Sequence, residues 1–193
     1  MMISETDRLH SQLSRLEDRF PGYRTEIVGG NIMMSPVRPF HGRTIRLLEN
    51  TLEAQLGEEW ACVSDVTFPF TDLDELCPDV ALVPRVEADR NLSAYSPDLI
   101  ELAVEVVSPS SVRHDYVVKD RLYAQRGIAH YLIFDPYQAE CTMLWHPGPD
   151  GYRGRDVVPY GKPVEVALEI GRAKIETDEL PIDRETRIQR RDM

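Results

Sequence analysis

Two acidic residues and a lysine stand out in this chain because of the segments that carry them. Asp79 opens a short apolar segment at residues 79–84, and Glu105 lies near the end of a second one at residues 99–107. A helical segment that contains Lys119 follows. Carboxylates bind divalent cations, and an ammonium group stabilises charge on a phosphate. The three residues together therefore indicate metal-assisted cleavage of phosphodiester bonds.

The spacing of the two apolar segments predicts that their acids face each other. Both segments are rich in β-branched residues and bounded by proline or polar residues, which is typical of strands. The loop at residues 85–98 is polar and contains no good helix, so we predict an antiparallel pair. If Pro84 pairs with Ile100, the same register places Asp79 opposite Glu105 on one face. That face also carries Ala81, Val83 and Ala103.

Opposed carboxylates repel each other unless a positive charge lies between them. Mg²⁺ is the expected cation, with Mn²⁺ as a substitute, because Mg²⁺ favours one or two carboxylates together with water and phosphate. Either acid alone could equally be a solvated residue at a strand end. Glu105, however, interrupts a segment that is apolar on both faces, where a carboxylate without a partner is costly.

Several short motifs, taken in order, resemble the Uma-type family of putative restriction endonucleases in the PD-(D/E)XK superfamily. The matching positions are residues 26–36, His41, Pro78, Asp79, residues 104–110, Asp115, Lys119, Tyr123, Gly127, Ile128 and residues 131–136. The resemblance spans residues 23–136. It implies a mixed α+β (α/β) fold of the restriction-endonuclease type, with a central mixed β-sheet flanked by helices and additional strands. It also implies a divalent metal and nuclease-type hydrolysis.

One position departs from the superfamily pattern, in which a lysine lies two residues after the glutamate. Here that position is Val107. The resemblance points to Lys119 as the replacement, and Asp115, Lys119, Leu122 and Arg126 fall on one stripe of a helix. The alternative is an ordinary surface pair of Asp115 with Lys119, which would contribute only about 0.3–0.5 kcal/mol.

The resemblance implies a role for each of these residues. Asp79, Glu105 and the backbone carbonyl of Val106 would hold the metal, which polarises the scissile phosphate and lowers the pKa of a bound water. Lys119 would orient that water or stabilise the charge that develops on the phosphate oxygens.

Three further residues are predicted to support the site. They are Glu26, His41 and Asp115. Glu26 could equally be an exposed strand residue. His41 follows two prolines near the start of a predicted helix, where a capping or packing role is an alternative.

The charge balance argues against nucleic-acid binding. The chain has 33 acidic and 22 basic residues and a net charge of −11, whereas proteins bind nucleic acid largely by neutralising phosphates. Arginines near residues 38–46, 113–126 and 184–191 could form local basic patches or solvated helix faces.

Two functions therefore stay open. One is an Mg²⁺-dependent endonuclease, for which DNA is expected before RNA. The other is a non-catalytic nucleic-acid- or protein-binding module that retains the fold.

Length and composition predict one domain. A chain of 193 residues, 42% of them hydrophobic, suits a single domain at residues 1–181 with its core at 23–136, followed by a charged, frayed tail at 182–193. The N-terminus lacks a signal-peptide pattern and no apolar run is long enough to span a membrane, so a cytoplasmic location is expected.

The three cysteines, widely spaced, are expected to be reduced thiols. The resemblance and the frequency of two-fold assemblies predict a homodimer, with Trp145 and Val157 as interface residues.

Periodicity predicts the remaining elements. Amphipathic helices are expected at residues 9–20 and 45–56, and a hairpin at 23–35 turns at Gly29 and Gly30. The order strand, helix, strand after Glu105 predicts that residues 131–134 run parallel to the Glu105 strand. Short strands are also predicted at 60–64, 67–70, 141–145, 152–158 and 164–168.

Overall fold

A six-stranded mixed sheet carries both acidic segments in the computed structural model, which describes residues 5–20, 22–36 and 38–185. Elements are numbered along the chain. In spatial order the strands of this sheet are β10 (Gly151–Pro159), β9 (Glu140–Gly148), β8 (His130–Asp135), β7 (Leu102–Val106), β6 (Val80–Pro84) and β3 (Trp60–Val63). Strands β7 and β8 are parallel, as predicted, and the other pairs are antiparallel.

The register between β6 and β7 agrees with the sequence prediction. Val80 pairs with Val104 and Leu82 pairs with Leu102. Continued by one residue, this register brings Asp79 level with Glu105.

Side chains from the two faces of this sheet enter two separate hydrophobic clusters. One cluster includes Val80, Leu82, Leu102, Val104 and Leu132, and the other includes Ala81, Val83, Ala103, Tyr123 and Tyr131. The alternation of strand side chains places Asp79 and Glu105 on the face of the second, aromatic cluster.

A four-stranded sheet packs beside the first and contributes to the site. Its order is β2 (Asn31–Pro36), β1 (Tyr23–Val28), β5 (Asp74–Leu76) and β4 (Phe68–Thr71). The predicted hairpin is confirmed: β1 and β2 pair through a turn at Gly29 and Gly30, whose φ angles of 54° and 74° favour glycine. A separate two-stranded sheet consists of β11 (Val164–Leu168) and β12 (Gly171–Ile175). The sequence did not predict β5 or β12.

The helices are α1 (Glu5–Arg19), α2 (Pro39–Leu56), α3 (Arg85–Ala88) and α4 (Asp120–Arg126). Helix α2 buries Ile45, Leu48, Leu52 and Leu56 and ends before Gly57, as its apolar spacing predicted. The loop at residues 85–98, which was predicted to contain no good helix, holds only the four-residue α3 and the start of a short 3-10 turn at Pro97–Leu99. Among the described residues, no helix is both long and apolar enough to cross a membrane.

The C-terminal tail is only partly covered by the structure. Residues 182–185 are described, and the Asp183 amide donates a hydrogen bond to the Pro136 carbonyl at 2.9 Å. The rest of the predicted frayed segment, together with Arg187, Arg190 and Arg191, lies outside the described residues. The division into a domain at residues 1–181 and a tail stays a prediction.

Candidate active site

Asp79 lies immediately before β6, and its carboxylate is buried with 1% of the residue exposed. Oδ2 accepts a hydrogen bond from the Val106 amide at 2.6 Å and lies 3.1 Å from His41 Nε2. Oδ1 forms an ion pair with the guanidinium of Arg24, which projects from β1. The buried charge is thus compensated from three different elements, as a buried carboxylate requires.

Glu105 and Lys119 form the second half of the site. Glu105 Oε1 accepts hydrogen bonds from Lys119 Nζ at 2.8 Å and from the Tyr123 hydroxyl at 2.7 Å. Lys119 Nζ also lies 3.0 Å from Glu26 Oε1 and 3.7 Å from Asp115 Oδ1. Only 3% of Lys119 is exposed. The alternative of a solvated surface pair is therefore wrong, because the ammonium group is buried among three carboxylates.

A π-helical turn at His114–Lys119 delivers the lysine. Its wider turn, with hydrogen bonds from residue i to i+5, changes which residues of the following helix α4 face the sheet. The predicted α-helical stripe is consequently wrong in its second half. Tyr123 is fully buried, whereas Leu122 is half-buried and Arg126 is exposed.

The structure brings the three predicted supporting residues into the site. Glu26 Oε1 accepts a hydrogen bond from the Cys77 amide at 2.8 Å besides its contact with the lysine. His41 lies in the first turn of α2 and reaches the aspartate before β6. Asp115 Oδ2 accepts a hydrogen bond from the Ser111 hydroxyl at 2.5 Å. All of these residues except Cys77 line one narrow cleft between the two larger sheets.

The cleft carries more negative than positive charge. Its ionisable groups are the carboxylates of Glu26, Asp79, Glu105 and Asp115 and the cations of Arg24 and Lys119. Burial lowers the pKa of His41 to about 4, with help from the two cations, so its imidazole is neutral at pH 7. With all four acids ionised, the cleft would hold two uncompensated negative charges.

The pKa values in the cleft reflect this imbalance. Burial raises the pKa of Glu105, and it raises the pKa of Asp115 to about 8. Burial alone would lower the pKa of Lys119, but the surrounding carboxylates, Glu105 foremost, raise it overall. Lys119 is therefore charged at neutral pH, while the buried Asp115, whose pKa lies above 7, retains its proton.

These residues suit a divalent cation in donor type and charge. Asp79, Glu105 and the Val106 carbonyl offer the oxygen ligands that Mg²⁺ prefers, and the buried Oδ1 atom of Asp115 accepts no hydrogen bond from described groups. The free volume of the cleft is about 30 Å³, and a cavity needs roughly 10–15 Å³ to hold one water. In the part of the chain that the structure describes, no three His, Cys, Asp or Glu side chains converge as a metal centre. Arg24 would have to yield its contact with Asp79.

Comparison of the sequence with known protein families identifies a match. The family model of Uma2, described as "Putative restriction endonuclease", matches residues 10–176. The chain belongs to the Uma2 family. No curated protein matches it significantly in sequence.

A solved structure resembles this Uma2 chain in fold. It is the crystal structure of a putative nuclease belonging to DUF820 from Anabaena variabilis. The two share a TM-score of 0.64 at 12% sequence identity, over 86% of this chain and 89% of that one. The likeness shows the fold alone, and it confirms the predicted mixed α+β class with a central mixed sheet flanked by helices.

In the described part of this Uma2 chain, three polar side chains that contact the carboxylates of Asp79, Glu105 and Asp115 were not among the predicted site residues. Arg24 is two residues before Glu26 on β1, so strand alternation places both on one face and could have revealed it. Tyr123 is one of the positions that match the family motifs, four residues after Lys119, but the resemblance implies no role for it. Ser111 belongs to the loop after β7 and carries no distinguishing pattern in the sequence.

Proposed function

We propose that this Uma2-family protein is a metal-dependent endonuclease that hydrolyses phosphodiester bonds of nucleic acid, with DNA as the first substrate to test and RNA as the second. The observation that carries the proposal is the buried convergence of Asp79, Glu105 and Lys119 in one cleft. Perturbed pKa values cluster at functional sites, and the pKa values of Glu105 and Asp115 in this cleft are both raised. The family and the fold support the same class of chemistry.

Asp79, Glu105 and the Val106 carbonyl would hold Mg²⁺, or Mn²⁺ in its place. The chemistry that such an ion supplies when bound is polarisation of the scissile phosphate and a lowered pKa of bound water. Lys119 is held by the carboxylates of Glu105 and Glu26, and its ammonium group would stabilise charge on a phosphate oxygen or orient the attacking water. Tyr123 holds the Glu105 carboxylate in place by donating a hydrogen bond from its hydroxyl group.

His41 positions the aspartate. Because its imidazole is neutral and its Nε2 faces the Asp79 carboxylate, Nε2 carries the proton and Nδ1 is left as an acceptor. Asp115 Oδ1 lies 3.7 Å from the lysine ammonium group, and Ser111 orients that carboxylate.

One observation favours the alternative of a non-catalytic module that binds nucleic acid or protein. The ion pair of Arg24 with Asp79 satisfies the aspartate without a metal. The net charge of −11 points the same way, because it weakens attraction to phosphates.

A cleavage assay separates the two functions. Labelled single- and double-stranded DNA and RNA are incubated with the protein and Mg²⁺, Mn²⁺ or EDTA. We expect metal-dependent products from the wild type and none from Glu105→Gln. Glu101→Gln, the same change four residues earlier and outside the cleft, serves as the matched control and should cleave normally. Binding without cleavage by the wild type in every condition would support the non-catalytic module.

A further inference from the structure

An apolar cavity of about 240 Å³ adjoins the acidic cleft. Its own lining consists of Arg38, Pro39, Phe40, Val107, Pro136, Tyr137 and one acidic residue, Asp183. Pro36, His41 and Ser108 line both the cavity and the cleft. The two spaces are therefore neighbours, and a ligand whose phosphate enters the cleft would present its next chemical group to the cavity.

The walls of this cavity suit a flat ring. Phe40, in the first turn of α2, is 45% exposed although it is a large apolar side chain. Tyr137, which follows β8, lines the same cavity. The volume lies below the roughly 300–1,000 Å³ of pockets for drug-sized ligands, so it matches a single heterocycle better than a larger molecule. Aromatic side chains bind nucleobases by stacking, and they do so with little regard to sequence.

Polar groups at the rim suit the rest of a nucleotide. Arg38 is exposed and supplies a positive charge for a backbone phosphate. His41 Nδ1 is buried and has no hydrogen-bond partner among the described residues. His41 lines both spaces, so a polar side chain lies at the boundary between cavity and cleft.

We propose that this cavity binds one unpaired nucleobase next to the phosphate in the acidic cleft, so that the substrate is single-stranded or locally unpaired nucleic acid. This inference rests on the proposed nuclease function and narrows its substrate. A base inside a duplex is stacked and paired, and it cannot enter a side cavity unless it is first flipped out at a cost in free energy. The affinity gained from the cavity thus favours strands whose bases are already free.

Binding measured by fluorescence anisotropy in EDTA, which prevents metal-dependent cleavage, tests the proposal. The probes are labelled single-stranded DNA, single-stranded RNA and the matching DNA duplex. We expect the wild type to prefer the single strands and Phe40→Ala to weaken that binding about 5- to 150-fold, in line with the loss of one stacked base. Phe40→Trp should restore it. Phe20→Ala, which removes a similarly exposed phenylalanine outside the cavity, should leave binding unchanged.

Arg38→Gln is a second variant that does not alter the aromatic wall, and it should also weaken single-strand binding. Duplex binding as tight as single-strand binding, or full affinity in both Phe40→Ala and Arg38→Gln, would overturn the cavity's role. In that case metal-dependent cleavage by the wild type would still uphold the nuclease proposal. A wild type that neither binds nor cleaves any of the probes would overturn both.

Discussion

Arg24 on β1 forms an ion pair with Asp79 at the start of β6, which joins the four-stranded sheet to the six-stranded sheet inside the acidic cleft. The side chains are 10% and 2% exposed, so the pair is largely desolvated. In a buried pair each charge depends on the other, because water no longer stabilises either one. Arg24 therefore takes the position beside Asp79 that a metal ion would need, so under the proposed function a metal ion and the arginine would compete for one carboxylate.

Arg24→Met should expose this competition. Without metal, the variant leaves Asp79 uncompensated, and we expect it to lose about 3–5 kcal/mol of stability. With millimolar Mn²⁺ it should recover part of this loss, because a ligand that binds only the folded state stabilises it by mass action. Thermal melts with EDTA and with Mn²⁺ measure both effects.

The matched control for that experiment is Arg126→Met, which removes an exposed pair with Asp98 outside the cleft. It should change the melting temperature little and leave the response to Mn²⁺ as in the wild type. A melting-temperature gain with Mn²⁺ that is no larger in Arg24→Met than in the wild type would show that arginine and metal do not share Asp79.

Lys119→Met tests the lysine of the π-helical turn. The substitution keeps the length of the side chain and removes its charge, so we expect cleavage to fall about 10²–10³-fold, as when one stabiliser of transition-state charge is lost. Metal affinity should persist, because the lysine is not a metal ligand. The fold should lose stability, since Glu105 and Glu26 lose their shared cation.

Calorimetric metal titration and single-turnover cleavage measure the two properties of the lysine variant separately. Lys174→Met, which removes an exposed lysine paired with Glu176, is the control and should retain both. Normal cleavage by folded Lys119→Met would assign the lysine to structure alone.

The sequence predicts the central pair of strands well because their information is local. Residues 80–84 are apolar throughout, residues 102–106 are apolar apart from Glu105, and the proline that ends β6 limits the register. Period-two alternation then places Asp79 and Glu105 on one face. The two acids lie close together as predicted. Each is paired with a cation of its own, Asp79 with Arg24 and Glu105 with Lys119.

Other features could not be read from the chain because they depend on contacts between distant segments or on unusual backbone geometry. Arg24 reaches Asp79 only because two sheets pack together, and no local periodicity encodes that packing. The π-helical turn at His114–Lys119 changes the helical spacing without altering the apolar pattern, so a stripe based on α-helical spacing selects Leu122 where Tyr123 is buried. Strand β5, with three residues, is too short to show alternation.

The predicted homodimer stays a prediction, and of the two residues predicted for its interface the structure favours Val157 over Trp145. Trp145 packs over Gly154 of its own hairpin, where an added Cβ would lie 2.3 Å from the indole, so its ring is engaged within the chain. Strand β10 forms an edge of the six-stranded sheet, and Val157 on it is 44% exposed. Edge strands pair readily with a second copy. We expect a dimeric mass by light scattering and a monomeric one for Val157→Asp, whereas a monomeric wild type at micromolar concentration would refute the dimer.

The stability of the metal-free protein should fall as the pH rises from about 4 to 8, and Asp115 is a main reason. Its pKa is raised from 3.8 to about 8 in the folded state, chiefly by burial. Below 3.8 the folded and unfolded forms are both protonated, so the group has no effect on the pH dependence there. Between the two values the folded state binds more protons than the unfolded state, and the free energy of unfolding therefore decreases with pH. The raised pKa of Glu105 acts in the same direction.

Asp115→Asn should flatten this profile, because an amide has no proton to release. Urea unfolding in EDTA between pH 5 and 8.5 measures the free energy of unfolding, and we expect a smaller decrease with pH in the variant, with the remaining slope due to Glu105. Asp98→Asn alters an aspartate that is exposed and paired with Arg126, so its profile should follow the wild type. If Asp115→Asn and the wild type lose stability equally over this range, Asp115 is ionised in the folded cleft. The two surplus negative charges would then be balanced by some other group.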